Sequence, residues 1–545
     1  MEPLNAKSRI ELIAKLGAKQ YDLVVIGGGI TGAGIALDAA SRGIKTALVE
    51  KQDFAAGTSS RSTKLIHGGL RYLAQGDLML VREVGKERAI LHKNAPHLVT
   101  PEKMLLPIVE GGNYGKLSTY LGLTIYDMLA SVTKEERKSM LSKKETQGLE
   151  PLLDNPIIQG GFLYSEYRTD DARLTLSVIK TAAAYGAIPA NYMEVNELLY
   201  ENKKICGVAC IDALTGAPLQ IMAKQVVNAA GPWVDQIRKK DRSLTDKYLH
   251  HTKGIHLVVE HEQFPVRESI YFDAFDGRMI FAIPRGKTTY IGTTDTNYKG
   301  SLTLPKVSKE DATYLIKAVN HMFPTALLKP NDIVSSWAGI RPLIHEEDKG
   351  PSEISRKDEI FVSHSGMISI AGGKLTGFRK MALRTVDKVM EALHKQNGYV
   401  LKNSETHQLT LCGGDISNLQ QLISQISTQL EKWGLTKQDA EELVRRYGTD
   451  SKRIADQLLK SKTNNPNLEL ALAELKYCIE NESVHHLDDF IVQRTGWLYF
   501  NIESIAPLLN DLTKEMGAIL NWDEEQTNRE KELVRNRIQL AKELG

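Results

Sequence analysis

Cysteine is scarce in this chain of 545 residues. There are four, Cys206, Cys210, Cys412 and Cys478. Only the first two stand close together, as C-x3-C with no second pair. That spacing argues against a structural zinc site, and no metal is expected. Sparse, irregular thiols suit a reducing compartment. Long apolar runs are missing too. Nowhere do about 18 uncharged apolar residues follow one another, so no transmembrane helix is expected. Residues 1–20 carry no apolar h-region, so no secretory signal is expected either. An excess of one charge sign is also lacking. Lys and Arg number 69 against 67 Asp and Glu, a formal net charge of +2. Such a balance argues against a dedicated nucleic-acid binder. There is no internal repeat and no long low-complexity segment. What remains is a chain long enough for two or three packed domains.

The most informative stretch is residues 21–51. Asp22-Leu23-Val24-Val25-Ile26 is a short apolar run of buried-strand type. Gly27, Gly29 and Gly32 follow at once as G-x-G-x-x-G, and the small, apolar residues 30–41 suit a helix pressed on a sheet. Residues 46–49 make a second strand that ends at Glu50. Gly27 lets the chain turn out of the strand, Gly29 admits a pyrophosphate to the backbone, and Gly32 lets helix and strand approach. The helix aims its unpaired N–H groups at the phosphates. Glu50, roughly 20 residues on, can accept hydrogen bonds from an adenosine ribose. A carboxylate there favours FAD or NAD over NADP.

Further along, residues 57–72 form a polar, glycine-rich loop close to where a dinucleotide would extend. It contains Ser59, Ser60, Lys64, Leu65, His67, Arg71 and Tyr72. Residues 8–16 read as a short amphipathic helix with Ser8 as N-cap and Ile10, Ile13 and Leu16 on one face. Residues 77–92 and 170–184 read as helices. Residues 121–130 form an apolar helical patch, read as core packing with a membrane-facing plateau as the alternative. Residues 187–195 read as one strand, with Val195 placed to bracket an adenine. Residues 205–212 and 219–227 suggest a hairpin that leads into Asn228-Ala229-Ala230-Gly231-Pro232-Trp233. From 250 to 357 short strands and turns alternate, as in an antiparallel sheet. A second strand, glycine turn and helix appear at 368–394, with Gly372 and Gly373 at the turn. A two-ended ligand needs such a second clamp. Beyond 400 the chain reads as a helical domain, with helices at 437–447, 451–459, 468–481 and 525–544.

In order along the chain stand the N-terminal fingerprint, Thr58-Ser59-Ser60 with residues 64–72, residues 228–233, Gly292 to Asp295, Gly339-Ile340-Arg341-Pro342, and Gly372 to Thr376. Together they closely resemble the FAD-dependent aerobic glycerol-3-phosphate dehydrogenases, within the D-amino-acid-oxidase-like flavoproteins. The match runs from about residue 19 to at least 500. The resemblance implies an α/β plus α architecture. A Rossmann-type, glutathione-reductase-like FAD domain is interleaved within 1–400 with an antiparallel-sheet substrate domain (roughly 85–165 and 245–360), and a C-terminal helical domain covers 401–545. It implies FAD, expected noncovalent because nothing in the sequence marks a covalent link, and oxidation of glycerol 3-phosphate to dihydroxyacetone phosphate. It further implies electron transfer to membrane quinone by a cytoplasmic protein held peripherally on the inner face of the membrane, often as a homodimer. It adds Lys64, Leu65, His67, Trp233, Asp295, Leu375 and Thr376 to the cofactor residues Gly27, Gly29, Gly32, Glu50, Ser59, Ser60, Val195, Gly231 and Gly373. It places Arg71, Tyr72, His256, Arg341, Arg356 and Lys374 around the substrate. A sister branch of oxidases carries a mid-chain insertion that this sequence lacks.

Oxidising a secondary alcohol with a flavin needs an aligned C2 hydride, a base for the hydroxyl proton and a grip on the phosphate. Arginine suits the phosphate because its planar fork binds two oxygens. Arg341, between Ile340 and Pro342, is the leading candidate, with Arg71 and Arg356 beside it. For the base, His256 and His67 compete, and His256 is preferred. Three rival readings stay open at this point: an amine or amino-acid oxidase of the same fold, an NAD-binding dehydrogenase or non-catalytic sensor, and the oxygen-using sister branch.

Overall fold

The first apolar run becomes a strand buried on both faces. The computed structural model describes residues 4–67, 78–113, 115, 119, 122–124, 136–345, 358–400, 402–458 and 465–545. In it, Gln20–Ile26 lies parallel to Thr46–Val49 on one side and to Pro218–Asn228 on the other. Leu23 and Val25 face one apolar cluster and Val24 and Ile26 face another, as the period of two requires. The sheet has eight strands among the described residues. Ile188–Ala190 extends it beyond Thr46–Val49; Ile368–Gly372 and Asp358–Val362 extend it beyond Pro218–Asn228. The expected hairpin is present as Lys204–Asp212 against Pro218–Asn228. The single strand expected over 187–195 is instead two, Ile188–Ala190 and Met193–Glu201. The chain breaks between them because Asn191 turns its side chain into buried hydrogen bonds and Tyr192 adopts a φ of 54°.

Helices Ile30–Ser41, Asp171–Ala184 and Phe378–Asn397 pack together on one face of this sheet. Asp170 caps the second of them by accepting the amide of Arg173. On the other face lies Arg9–Gly17, with Ser8 at the N-cap position as expected but giving no side-chain cap bond. It buries Leu12 and Leu16 and leaves Ile10 84% exposed, so the buried stripe is rotated from the one expected.

The second sheet has ten strands among the described residues. Its longest-paired strand towards one edge is Leu249–Glu260, flanked by Thr288–Gly292 and Ile333–Ile344, both antiparallel to it. The antiparallel sheet expected over 250–357 is therefore present, and Thr100–Val109 and Ile158–Arg168 extend it. One pairing is parallel, Ser269–Asp273 beside Thr100–Val109. The region also contains a helix the alternating pattern hid, Lys309–Met322, capped by Ser308 through the Asp311 amide. Its Leu315 and Val319 pack on the face of the sheet that carries Leu257 and Ile291.

The opposite face of the sheet, with Met104, Leu106, Val258 and Trp337, is covered by helices past residue 419. Leu443, Leu475, Leu512 and Val534 belong to the same apolar cluster. Lys437–Tyr447 coincides with the expected helix, and Ser451–Leu458, Pro466–Asn481 and Glu524–Lys542 agree within two residues. Among the described residues no helix is long and apolar enough to cross a membrane. Of the patch over 121–130, residues 122–124 are described and Leu123 is buried in this same cluster; the rest lies outside the described residues.

Candidate active site

A cleft opens where the first sheet's central strands end. At Gly27 the backbone turns with a φ of 113°, and an added Cβ would stand 2.5 Å from the carbonyl oxygen of Ala229. At Gly32 a Cβ would stand 1.9 Å from the carbonyl oxygen of Gly27, so the helix sits directly on the turn. Gly27, Gly29, Glu50 and Ser59 line one wall of the cleft. Val195, Gly231 and Trp233 line a second wall, and Gly373, Lys374 and Leu375 a third. Ser59 Oγ accepts the amide of Ile30 at 2.9 Å and so fixes the loop to the first helical turn. Glu50 accepts the amides of Gly28 at 2.6 Å and Gln52 at 2.9 Å. Burial raises its pKa against the pull of those two amides. Lys51 lies 4.0 Å from the Trp233 ring centroid, and a shallower polar pocket runs from this pair to residues 298–303.

The cofactor residues expected elsewhere support this wall without lining it. Gly32 lies behind the turn, and the Ser60 hydroxyl reaches the Gly57 carbonyl at 3.4 Å. Lys64 is buried against the carboxylate of Asp171 and the carbonyl of Ser60. Leu65 is buried in the short strand Leu65–Ile66. Thr376 Oγ1 donates to the carbonyl of His67 at 2.9 Å, tying the second glycine turn to the first loop.

That loop, residues 57–67, runs from the cleft to the second sheet. Thr58 Oγ1 donates to the carbonyl of Ile340 at 2.7 Å. The Thr63 carbonyl accepts the Tyr290 hydroxyl at 3.0 Å, and Thr63 Oγ1 meets His256 Nε2 at 3.0 Å. His256 faces Trp337 across the strand pair Leu249–Glu260 and Ile333–Ile344, and their rings stack at 4.6 Å. His256 Nδ1 is buried with no hydrogen-bond partner among the described residues. Burial first, and then the positive charges of Arg341 and Lys64, hold this imidazole well below its usual pKa. It is therefore neutral at pH 7. The His67 ring instead meets Phe281 edge-on at 5.5 Å.

Arg341 lies on the same strand as Trp337, next to Pro342, which lines the cleft. Its guanidinium pairs with Asp295 at 2.9 Å and donates to the Thr294 carbonyl and to Thr293 Oγ1, each at 3.1 Å. Asp295, expected at the cofactor, is not among the residues lining the cleft and anchors Arg341, of whose side chain 21% stays exposed. Arg71, Tyr72 and Arg356 lie outside the described residues. Three participants escaped the sequence reading. Thr63 and Trp337 hold His256. Asp171 gathers the Ser62 amide at 2.9 Å and its hydroxyl at 2.7 Å, together with the Lys64 ammonium. The Asp170-Asp171 pair signalled a helix start; nothing local marked the second carboxylate as the loop's anchor.

Residues 22–379 match the model of the FAD dependent oxidoreductase family, and residues 404–527 match the C-terminal domain of alpha-glycerophosphate oxidase. The aerobic glycerol-3-phosphate dehydrogenase of Bacillus subtilis is 51% identical over 530 residues, 96% of each chain. This chain belongs to the FAD-dependent aerobic glycerol-3-phosphate dehydrogenase family. The Staphylococcus haemolyticus member is 49% identical over 526 residues, 95% of this chain and 94% of that one. The crystal structure of the glycerol-3-phosphate dehydrogenase from Bacillus halodurans, complexed with FAD, is 43% identical and superposes with a TM-score of 0.85 over 99% of both chains. The FAD-bound L-alpha-glycerophosphate oxidase from Mycoplasma pneumoniae shares the fold, with a TM-score of 0.54 at 19% identity over 71% of this chain and 97% of that one. FAD is the cofactor, and the cleft fits it. The glycine-lined turn leaves backbone amides for a pyrophosphate, and Glu50 keeps lone pairs for a ribose beyond the two amides it already accepts.

Proposed function

We propose that the protein oxidises sn-glycerol 3-phosphate to dihydroxyacetone phosphate in glycerol catabolism. The electrons go on to membrane quinone, from a homodimer bound peripherally at the cytoplasmic face of the membrane. The activity in the relatives' names supports the substrate. The observation that carries the reading is the loop 57–67, which joins the dinucleotide cleft to His256 and to the strand of Arg341. Bound noncovalently, FAD supplies the electron sink for the C2 hydride. His256, neutral and held by Thr63 and Trp337, accepts the proton of the C2 hydroxyl. His67 shares the loop and is the alternative acceptor. Arg341, braced by Asp295, brings its positive charge to the phosphate, and Lys374 on the cleft wall adds another. Arg71, Tyr72 and Arg356 complete the grip. With C2 aligned, the bound substrate reacts as if intramolecular.

The direct test is anaerobic addition of glycerol 3-phosphate to the purified protein while flavin absorbance is followed. Bleaching of the flavin band, reversed by a soluble quinone, is the expected result. No bleaching, or bleaching by a simple amino acid instead, would overturn the reading. Peroxide formed in step with substrate in air would replace quinone by oxygen as the acceptor.

A further inference from the structure

A buried ionic cluster stands behind the cleft, and the chemistry above makes no use of it. Asp53 lies three residues past Glu50. Its carboxylate is buried and accepts both terminal nitrogens of Arg494, with Nη2 at 3.0 Å from Oδ1. Arg494 is fully buried at the end of the wide helical turn Phe490–Arg494. Its Nη2 also donates to the carbonyl of Glu482 at 2.7 Å. Asn191 Nδ2 makes two bonds of 2.9 Å, one to Asp53 Oδ1 and one to the carbonyl of Ser483. The segment 482–494 of the helical region therefore grips the loop after Glu50 directly through Arg494 and indirectly through Asn191.

The other side of that loop is the floor of the cleft. Glu50 holds the Gly28 amide, and the Ala55 amide returns a bond to the Gly28 carbonyl at 3.1 Å. Phe54 is fully buried against Gly28, where an added Cβ would stand 2.8 Å from its ring. Gly28, Glu50 and Phe54 cannot shift separately, and Asp53 shifts with them. A buried pair of this kind is a weak source of stability, because removing both ions from water offsets their attraction. What a two-pronged guanidinium–carboxylate contact does provide is a fixed position.

We propose that residues 482–494 are a clasp on the cofactor loop, with Arg494 a positioning residue for FAD acting through Asp53. The proposal rests on the cleft being the FAD site, and not on the substrate or acceptor read above. By reciprocity, FAD in the cleft tightens the clasp as much as the clasp tightens FAD.

The test uses the full chain, stripped of flavin and titrated with FAD while flavin fluorescence is followed. Asp53→Asn and Arg494→Met should each raise the FAD dissociation constant by about 10-fold, and the double variant by little more than either alone. Arg446→Met breaks a part-buried pair with Glu474 in the same helical region, which shares no bond with Asp53. It should lower the melting temperature and leave FAD affinity within about twofold. In the wild type, FAD should slow amide hydrogen exchange over 483–495, and Asp53→Asn should abolish that slowing. Should Arg494→Met fail to fold, Asp53→Asn decides, since it keeps the side chain's size while losing its charge and one of the two accepting oxygens. An Asp53→Asn affinity within about twofold of wild type, or an equal loss in Arg446→Met, would overturn the clasp.

Discussion

The two ends of the loop 57–67 stand on different materials. At the cleft the contacts are backbone: glycine turns, helix amides and a carboxylate that itself holds amides. At the second sheet they are side chains from remote strands, His256 on Trp337 and Arg341 on Asp295. A backbone site tolerates no added atom, because a main chain cannot rotate away. A side-chain site loses one function at a time. The first kind of damage should remove the cofactor, and the second should spare it.

Gly32→Val tests the first half and should have the largest effect. Overpacking usually costs about 1–3 kcal/mol, and a collision with a carbonyl cannot be relieved by a rotamer change. The expected product is a destabilised protein without flavin, read from the ratio of flavin to protein absorbance. Full flavin content would break the comparison.

His256→Ala tests the other half. Flavin content should stay normal, while single-turnover flavin reduction at saturating substrate slows by about 10² or more. An unchanged reduction rate would remove His256 from the mechanism, and His67→Ala, measured beside it, would show whether the proton goes there. Arg341→Met should again keep its flavin. Charged hydrogen bonds contribute about 1.5–3 kcal/mol, so the substrate dissociation constant should rise by about 10- to 100-fold. Equal loss of flavin and substrate in this variant would blur the division between the two ends.

The smallest expected effect is in pH. A base must be neutral, and an ordinary histidine is half protonated near pH 6.5. Burial, with Arg341 and Lys64 beyond it, keeps His256 neutral there. The kcat/KM profile should therefore stay level down to about pH 6.5 and fall only below it. A midpoint at or above that value would move the base elsewhere. The stability sign is the same. The unfolded chain takes up the proton first as pH falls, so the stability held above about pH 6.5 erodes below it. His97, pushed down to about 3 mainly by burial, adds to that erosion.

This contrast also explains what could be read from the sequence. Strand Gln20–Ile26, its glycine turn and its helix were legible because each signal is local and the parts adjoin. The second glycine turn after Ile368–Gly372 was legible for the same reason. The stacking of His256 on Trp337 depends on the register of two strands, which no local pattern states. The contact of Asp53 with Arg494 spans 441 residues of chain. Helix Lys309–Met322 carried a readable cap in Ser308 and Asp311, yet it was absorbed into a block read by its strands. Ile10 was assigned inward on spacing alone, although which stripe of a short helix is buried depends on the surface it meets.

The strand that carries Trp337 and Arg341 also hydrogen-bonds to the last helical region: Ser335 Oγ donates to the carbonyl of Tyr499 at 2.6 Å, and Ser336 Oγ to that of Ala541 at 3.1 Å. During synthesis, the strands of this sheet face are complete by residue 344, but the face stays bare until the helices from Leu419 onward follow and cover it. A nascent chain in that interval displays a wide greasy surface to the cell, and premature termination would strand it there. Chaperone demand in this protein should thus peak late in translation, long after the dinucleotide turn has formed.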